Sequence, residues 1–270
     1  MSVASFAAAL PRALIFDVDG TLADTEEAHR LAFNATFERH GLDWRWSREQ
    51  YRGLLKTSGG KERMAAYADT LGLPARERER LQYRIPVLHA DKTRLYGDAV
   101  RAGALRLRPG IERLLQEARS AGCRLAIATT TTRANVEALL TSTLGRDADG
   151  LFELMGCAAD AQRLKPSPEI YQWVLQRLQL PPADAVAFED SANGLRAAHG
   201  AGLWTVATPT YWSEHDDLGA AELQLPNLGD PAAPLDGEPG AVLHRHGWLT
   251  LAELAELKAA APRPRLAANG

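Results

Sequence analysis

A chain of 270 residues can build one large α/β unit with a second small domain, and a hydrophobic content of 46% supports a buried core and excludes wholesale disorder. Lys and Arg total 31 against 34 Asp and Glu, a formal net charge of −3, so composition makes no case for a nucleic-acid partner but still permits a small anion bound by local cations. Two cysteines, Cys123 and Cys157, exclude a disulfide framework, and no apolar run approaches the roughly 20 residues that span a bilayer. The expectation is a soluble cytoplasmic protein with no membrane partner, a monomer or weak homodimer. The opening MSVASFAAALPRA lacks the charge and apolar length of a signal peptide.

In chain order, residues 13–18 (ALIFDV) are an apolar run ending in acid, the pattern of a buried parallel strand with function at its carboxyl end. From about 26 to 100 strand patterning disappears, which predicts a helical insertion leaving the sheet after its first strand and returning before Pro109. Residues 111–122 (IERLLQEARSAG) place Ile111, Leu114, Leu115 and Ala118 near one helical face, with Pro109-Gly110 at the entry and Gly122 as a stop. CRLAIATTTT at 123–132 reads as a second strand ending in hydroxyls, and LFELMGC at 151–157 as a short third. SPEIYQWVLQRLQL at 167–180 is amphipathic, AVAFED at 185–190 is another strand ending in acid, and GLWTVATP at 202–209 is a weaker one. Beyond about 225 Pro and Gly accumulate; LTLAELAELKAA predicts one short helix packed on the core or on another subunit, and APRPRLAANG is expected to fray.

Alternating strands and helices predict an α/β fold, a doubly wound, mostly parallel Rossmann-like sheet with an inserted helical cap. The expected units are a catalytic core of 1–23 and 101–229, a cap of 24–100 and a C-terminal extension of 230–270. Ligands of such sheets bind beyond the carboxyl ends of the strands, where the polar strand endings would converge.

The central motif is Asp17-Val18-Asp19-Gly20-Thr21. In a strand that ran to its end, Asp17 and Asp19 would face the same side, and two close carboxylates call for a cation or a shared proton. Magnesium suits hard oxygen ligands and phosphate together; the plainer reading is an acidic turn capping the next helix. Glu189 and Asp190 supply a second carboxylate pair, read either as metal ligands or as a helix cap. Thr129, followed by the amides of Thr130 and Thr131, offers a phosphate seat or merely a polar cap. Lys165 ahead of Pro166 can neutralise phosphoryl charge or be a surface lysine.

Taken together, DVDGT at 17–21, Thr129, Lys165-Pro166 and Glu189-Asp190 resemble, in order and spacing over about 10–225, the four motifs of the haloacid dehalogenase superfamily of phosphatases and phosphomutases. The resemblance implies that Asp17 attacks phosphorus while Asp19 protonates the leaving oxygen and then activates water. It implies Mg2+ held by Asp17, Asp190 and the backbone of Asp19, with Glu189 as a ligand or outer partner.

Substrate choice belongs to the insertion. Asp24, Glu27 and His29 follow the catalytic motif, and KTSGGKER at 56–63 sets positive charge beside flexible glycines, fitting a second anionic group or simply a solvated helix start. DGTLADTEEAHRLAFN and YRGLLKTSGGKER resemble the Calvin-cycle-associated phosphatases that remove the 1-phosphate of xylulose 1,5-bisphosphate. That likeness implies a small phosphorylated sugar as partner, contacts from Glu27, His29, Tyr51, Lys61 and Arg63, and a distal phosphate held by Lys61, Arg133 and the turn 130–132. Trp44 and Trp46 are read as packing. β-Phosphoglucomutase shares the same chemistry and stays open as an alternative, whereas the absence of a G-x-G-x-x-G turn argues against a dinucleotide site.

Overall fold

A computed structural model describes residues 8–243 and 245–260; the first seven residues of the opening stretch and the C-terminal 261–270, expected to fray, lie outside them. Among the described residues the strands are β1 (Ala13–Phe16), β2 (Arg124–Ala128), β3 (Leu154–Gly156), β4 (Ala185–Glu189), β5 (Trp204–Ala207) and β6 (Leu223–Gln224). The helices are α1 (Glu26–Arg39), α2 (Arg48–Leu54), α3 (Gly60–Asp69), α4 (Ala75–Arg101), α5 (Ile111–Ser120), α6 (Arg133–Leu144), α7 (Glu169–Leu178), α8 (Ala192–Gly200), α9 (Gly237–Val242) and α10 (Leu251–Ala260). None of them is long and apolar enough to cross a membrane.

The six strands form one sheet in the order β3-β2-β1-β4-β5-β6, and every pairing is parallel. The sequence pattern missed β6, which is two residues long and carries too little periodicity to register. The order reverses between β1 and β4, where Phe16 pairs with Phe188 and the two rings stack 4.4 Å apart. That reversal point is where an open sheet of this kind leaves a crevice.

Strand alternation sorts residues by size. Leu14, Phe16, Leu125, Ile127, Val186 and Phe188 face α5, α6 and α10, whereas Ala13, Ala126, Ala128, Ala185 and Ala187, with Ile15 as the one large exception among these strand residues, face α7 and α8. Small residues on the second face let α7 and α8 pack close to the sheet. The C-terminal α10 docks on α5 and places Leu251 and Leu254 in the main core.

Helices α1–α4 build a separate apolar cluster. Phe33, Phe37, Trp46, Tyr51, Met64, Leu81, Ile85 and Leu88 form its centre, and Trp44 packs edge-on to Phe37 and Tyr67. Trp212, from the loop after β5, completes this cluster from across the crevice.

Candidate active site

Strand β1 stops at Phe16, where the Asp17 amide still donates to the Phe188 carbonyl at 3.0 Å. The chain then turns back, with Leu22 N–H donating to the Val18 carbonyl (3.0 Å) and Gly20 N–H to the Ala23 carbonyl (2.8 Å). Gly20 has φ +85°, and a Cβ there would lie 2.2 Å from Asp190 Oδ2, so glycine serves both the turn and the close approach of that carboxylate.

The register of β1 and β4 brings Asp17, Glu189 and Asp190 together. Their candidate ligand oxygens all lie within 4.8 Å of one another, and all three residues are buried. Lys165 Nζ stands between two of them, 2.7 Å from Asp17 Oδ1 and 2.6 Å from Glu189 Oε1, and the Tyr171 hydroxyl also donates to Glu189 Oε1. Glu189 Oε2 is buried without a hydrogen-bond partner among the described residues. Burial pushes the Asp17 carboxyl up to about 7 against the opposing charge of Lys165. Burial, reinforced by Asp17 and Glu189, also pushes Asp190 well above the usual carboxylate range. One ammonium against three buried carboxylates leaves negative charge uncompensated. The all-oxygen donor set and the orphaned Glu189 oxygen therefore fit a hard divalent cation.

Asp19 does not join that group, contrary to the picture of two carboxylates facing the same side of one strand. Because the strand has ended, Asp19 Oδ1 instead accepts from the Thr25 hydroxyl at 2.6 Å and meets His29 Nε2 at 3.0 Å. Burial works to raise the Asp19 carboxyl, but the His29 ring and the Thr25 hydroxyl, both hydrogen-bonded to it, and the nearby Lys92 ammonium outweigh it and hold it below its ordinary value.

Above these residues opens a cavity of 820 Å³, lined from the sheet side by Thr129, Thr130, Thr131, Arg133 and Lys165, and from the helical side by His29, Lys61 and Arg63. Thr129 Oγ1 accepts from the Thr131 amide, Asn135 holds the Thr131 hydroxyl at 3.0 Å, and Thr132 caps α6. Arg133 also donates to the Met155 carbonyl at 2.8 Å. Lys61 sits in the first turn of α3, just past Gly59 with its φ of +89°.

Two expected substrate residues lie elsewhere. Glu27 pairs with Arg30 at 2.6 Å and with Arg48 on the outer side, because the phase of α1 turns Glu26 and His29 toward the cavity instead. Tyr51 is fully buried among aromatics, and its hydroxyl donates to Glu26 and accepts from Arg63.

Sequence reasoning missed Lys92, His89, Glu26 and Tyr171. For Lys92 a signal existed: Leu81, Ile85, Leu88, Lys92 and Tyr96 share one buried face of α4, and a lysine in such a row needs a partner. Its Nζ lies 2.6 Å from His29 Nδ1.

A family model of haloacid dehalogenase-like hydrolases matches residues 11–202. The chain belongs to that family. Among relatives of this hydrolase, protein CbbY of Cupriavidus necator is 51% identical over 244 residues, covering 90% of this chain and 95% of that protein. The crystal structure of CbbY from Rhodobacter sphaeroides in complex with phosphate is 44% identical, covers 81% of this chain and 95% of its own, and superposes with a TM-score of 0.74. A mutant of the same CbbY in complex with xylulose 1,5-bisphosphate is 43% identical, covers 82% of this chain and 96% of its own, and has a TM-score of 0.75. This haloacid dehalogenase-like hydrolase is thus an enzyme.

Proposed function

We propose that this hydrolase removes the 1-phosphate of xylulose 1,5-bisphosphate, releasing xylulose 5-phosphate and inorganic phosphate, with Mg2+ as cofactor and a phosphoryl group carried transiently on Asp17. The observation that carries the reading is Asp17 itself: a buried carboxylate at the floor of an 820 Å³ cavity, braced by Lys165 through Oδ1 so that its second oxygen is left to attack. The cavity has the size of a small-molecule site, and its cations stand on two walls, as a substrate with two anionic ends requires. The likeness to a CbbY protein crystallised with xylulose 1,5-bisphosphate supports the choice of sugar.

Asp17, Glu189 and Asp190, with the backbone of Asp19, would hold the magnesium ion, which supplies positive charge to the phosphoryl oxygens when bound. The rest falls to the chain. Thr129 and the amides that follow it orient the phosphoryl group, and Lys165 neutralises charge growing on it. Asp17 attacks phosphorus as the bond to the sugar oxygen breaks, and Asp19 gives that oxygen a proton. Asp19 then takes a proton from water, which displaces Asp17 from phosphorus. Asp19 is held ionised by His29, Thr25 and Lys92, so it must first gain a proton, and an arriving phosphate dianion raises its affinity for one. Residues 24–100 act as the cap that shields this chemistry from bulk water, while Lys61, Arg133 and the turn 130–132 receive the distal phosphate.

The test is phosphate release with Mg2+ from xylulose 1,5-bisphosphate, ribulose 1,5-bisphosphate and β-glucose 1-phosphate. Stoichiometric release selective for the first is expected. Conversion of β-glucose 1-phosphate to glucose 6-phosphate with both bisphosphates untouched would overturn the assignment in favour of a mutase.

A further inference from the structure

The loop after β5 carries two adjacent side chains that reach into opposite halves of the molecule. Trp212, 4% exposed, packs edge-on to Tyr51 in the aromatic cluster of α1–α4 at 5.7 Å, with the Arg48 guanidinium 5.3 Å from its ring. Arg52 clasps the same loop from the helical side, donating to the Tyr211 carbonyl at 3.3 Å and to Glu214 at 3.0 Å. Ser213, equally buried, donates from Oγ to Asp190 Oδ2 at 3.2 Å.

The turn bearing both residues is closed on itself. Thr210 N–H donates to Ser213 Oγ (3.0 Å), Trp212 N–H to Thr210 Oγ1 (3.2 Å) and Ser213 N–H to the Thr210 carbonyl (3.1 Å). Its base is pinned by Arg108, which donates to the carbonyls of Thr208 and Pro209 and also to that of Gly20 in the catalytic turn. A turn so tied cannot absorb a shift of Trp212 internally, and the shift reaches Ser213 and with it the Asp190 carboxylate.

We propose that Trp212 and Ser213 couple closure of the helical cap to cation binding: seating of the indole in the cap aligns Asp190 through the serine hydroxyl, so each event strengthens the other. Both are positioning residues, since neither reaches phosphorus. The coupling rests on the reading of Asp17, Glu189 and Asp190 as the cation site. Reciprocity is a thermodynamic requirement: if cap closure tightens the cation, the cation must tighten the cap.

The experiment titrates the full-length protein with MgCl2 by calorimetry and follows hydrogen exchange in residues 44–68 of the cap. Ser213→Ala should weaken Mg2+ binding by about 10-fold, the usual cost of losing a partner that orients a ligand. Trp212→Ala should weaken it by about 5-fold although the indole packs on Tyr51 and Arg48 in the cap. The double variant should bind no more weakly than the weaker single variant. In the natural protein Mg2+ should slow exchange in 44–68, and in Ser213→Ala it should not; this arm leaves the cap sequence intact and stands even if Trp212→Ala fails to fold. Unchanged Mg2+ affinity in a folded Trp212→Ala variant, or undiminished slowing in Ser213→Ala, overturns the coupling. Absence of any Mg2+ binding to the natural protein overturns the cation reading, and the coupling with it.

Discussion

Lys92 Nζ lies 2.6 Å from His29 Nδ1, and the opposite ring nitrogen of His29 lies 3.0 Å from Asp19 Oδ1. With Lys92 protonated, Nδ1 accepts, so Nε2 must carry the proton and donate to Asp19. The imidazole is also stacked on Tyr96 at 3.9 Å. Burial first, and then the charge of Lys92, push the His29 imidazolium below its ordinary pKa, in the direction that favours the neutral ring as a donor.

Replacing Lys92 by Met removes one charge that opposes protonation of His29. The imidazole pKa should therefore rise, visible in an NMR titration, and kcat should fall by about 10- to 100-fold, as expected when the proton-transfer group loses its alignment. A His29 titration identical to that of the natural protein would exclude the tautomer assignment.

His89, on the same helix, is pushed down to about 4 by burial and by the charges of Lys92 and Lys61. Its folded pKa lies below its unfolded one, so the unfolded chain binds the extra proton first. The contribution to stability is whole above about pH 6.5 and is lost as pH falls toward 4, at most about 3 kcal/mol. In melting curves His89→Gln should lose less stability than the natural protein between these pH values; parallel curves would show that the imidazole carries no such penalty.

Asp17→Asn tests chemistry and stability at once. Turnover should fall by at least about 1,000-fold, since the amide cannot attack phosphorus. The folded pKa of Asp17, about 7, lies above its ordinary value, so the natural protein loses stability as pH rises from about 4 to 7 and carries the full cost beyond. In metal-free buffer the variant should therefore melt higher than the natural protein at pH 8, with the gap closing toward pH 4. A lower melting point at pH 8 would mean that Lys165 compensates the buried charge completely.

Lys61 is exposed at the cavity wall, so its effect should be on binding. Lys61→Gln should raise KM for the bisphosphate by about 10-fold with kcat little changed, and the difference should shrink at high salt. A phosphosugar with a single phosphate should show no such change, and an equal rise for both substrates would remove Lys61 from the distal site.

Gly20→Ala places a methyl group against Asp190 at a backbone φ of +85°. The strain of that backbone costs about 1–2 kcal/mol for a non-glycine residue. A fall in melting temperature accompanied by loss of Mg2+-dependent phosphate release is the expected result, and retention of both would show that the turn can relax.

ALIF before Asp17 and AVAF before Glu189 were legible because a buried parallel strand is a short apolar run, and polar residues at its end can only face the crevice. Lys165 and Thr129 were legible by residue type and order along the chain. The side of α1 that faces the substrate was not: the choice between Glu26 and Glu27 turns on helix phase, which needs the neighbouring α4 to define an inside. Asp19 left the carboxylate group because β1 ended three residues before it, a boundary that local pattern places only loosely. By itself the sequence determined five of the six strands and the order of their polar ends along the chain, set by local periodicity, and the resemblance of those ends to a known family pointed to phosphoryl chemistry. Only the tertiary structure decided which of them meet, joining Lys92 to His29 across 63 residues and Lys165 to Asp17 across 148, because such contacts depend on packing between elements that no local pattern encodes.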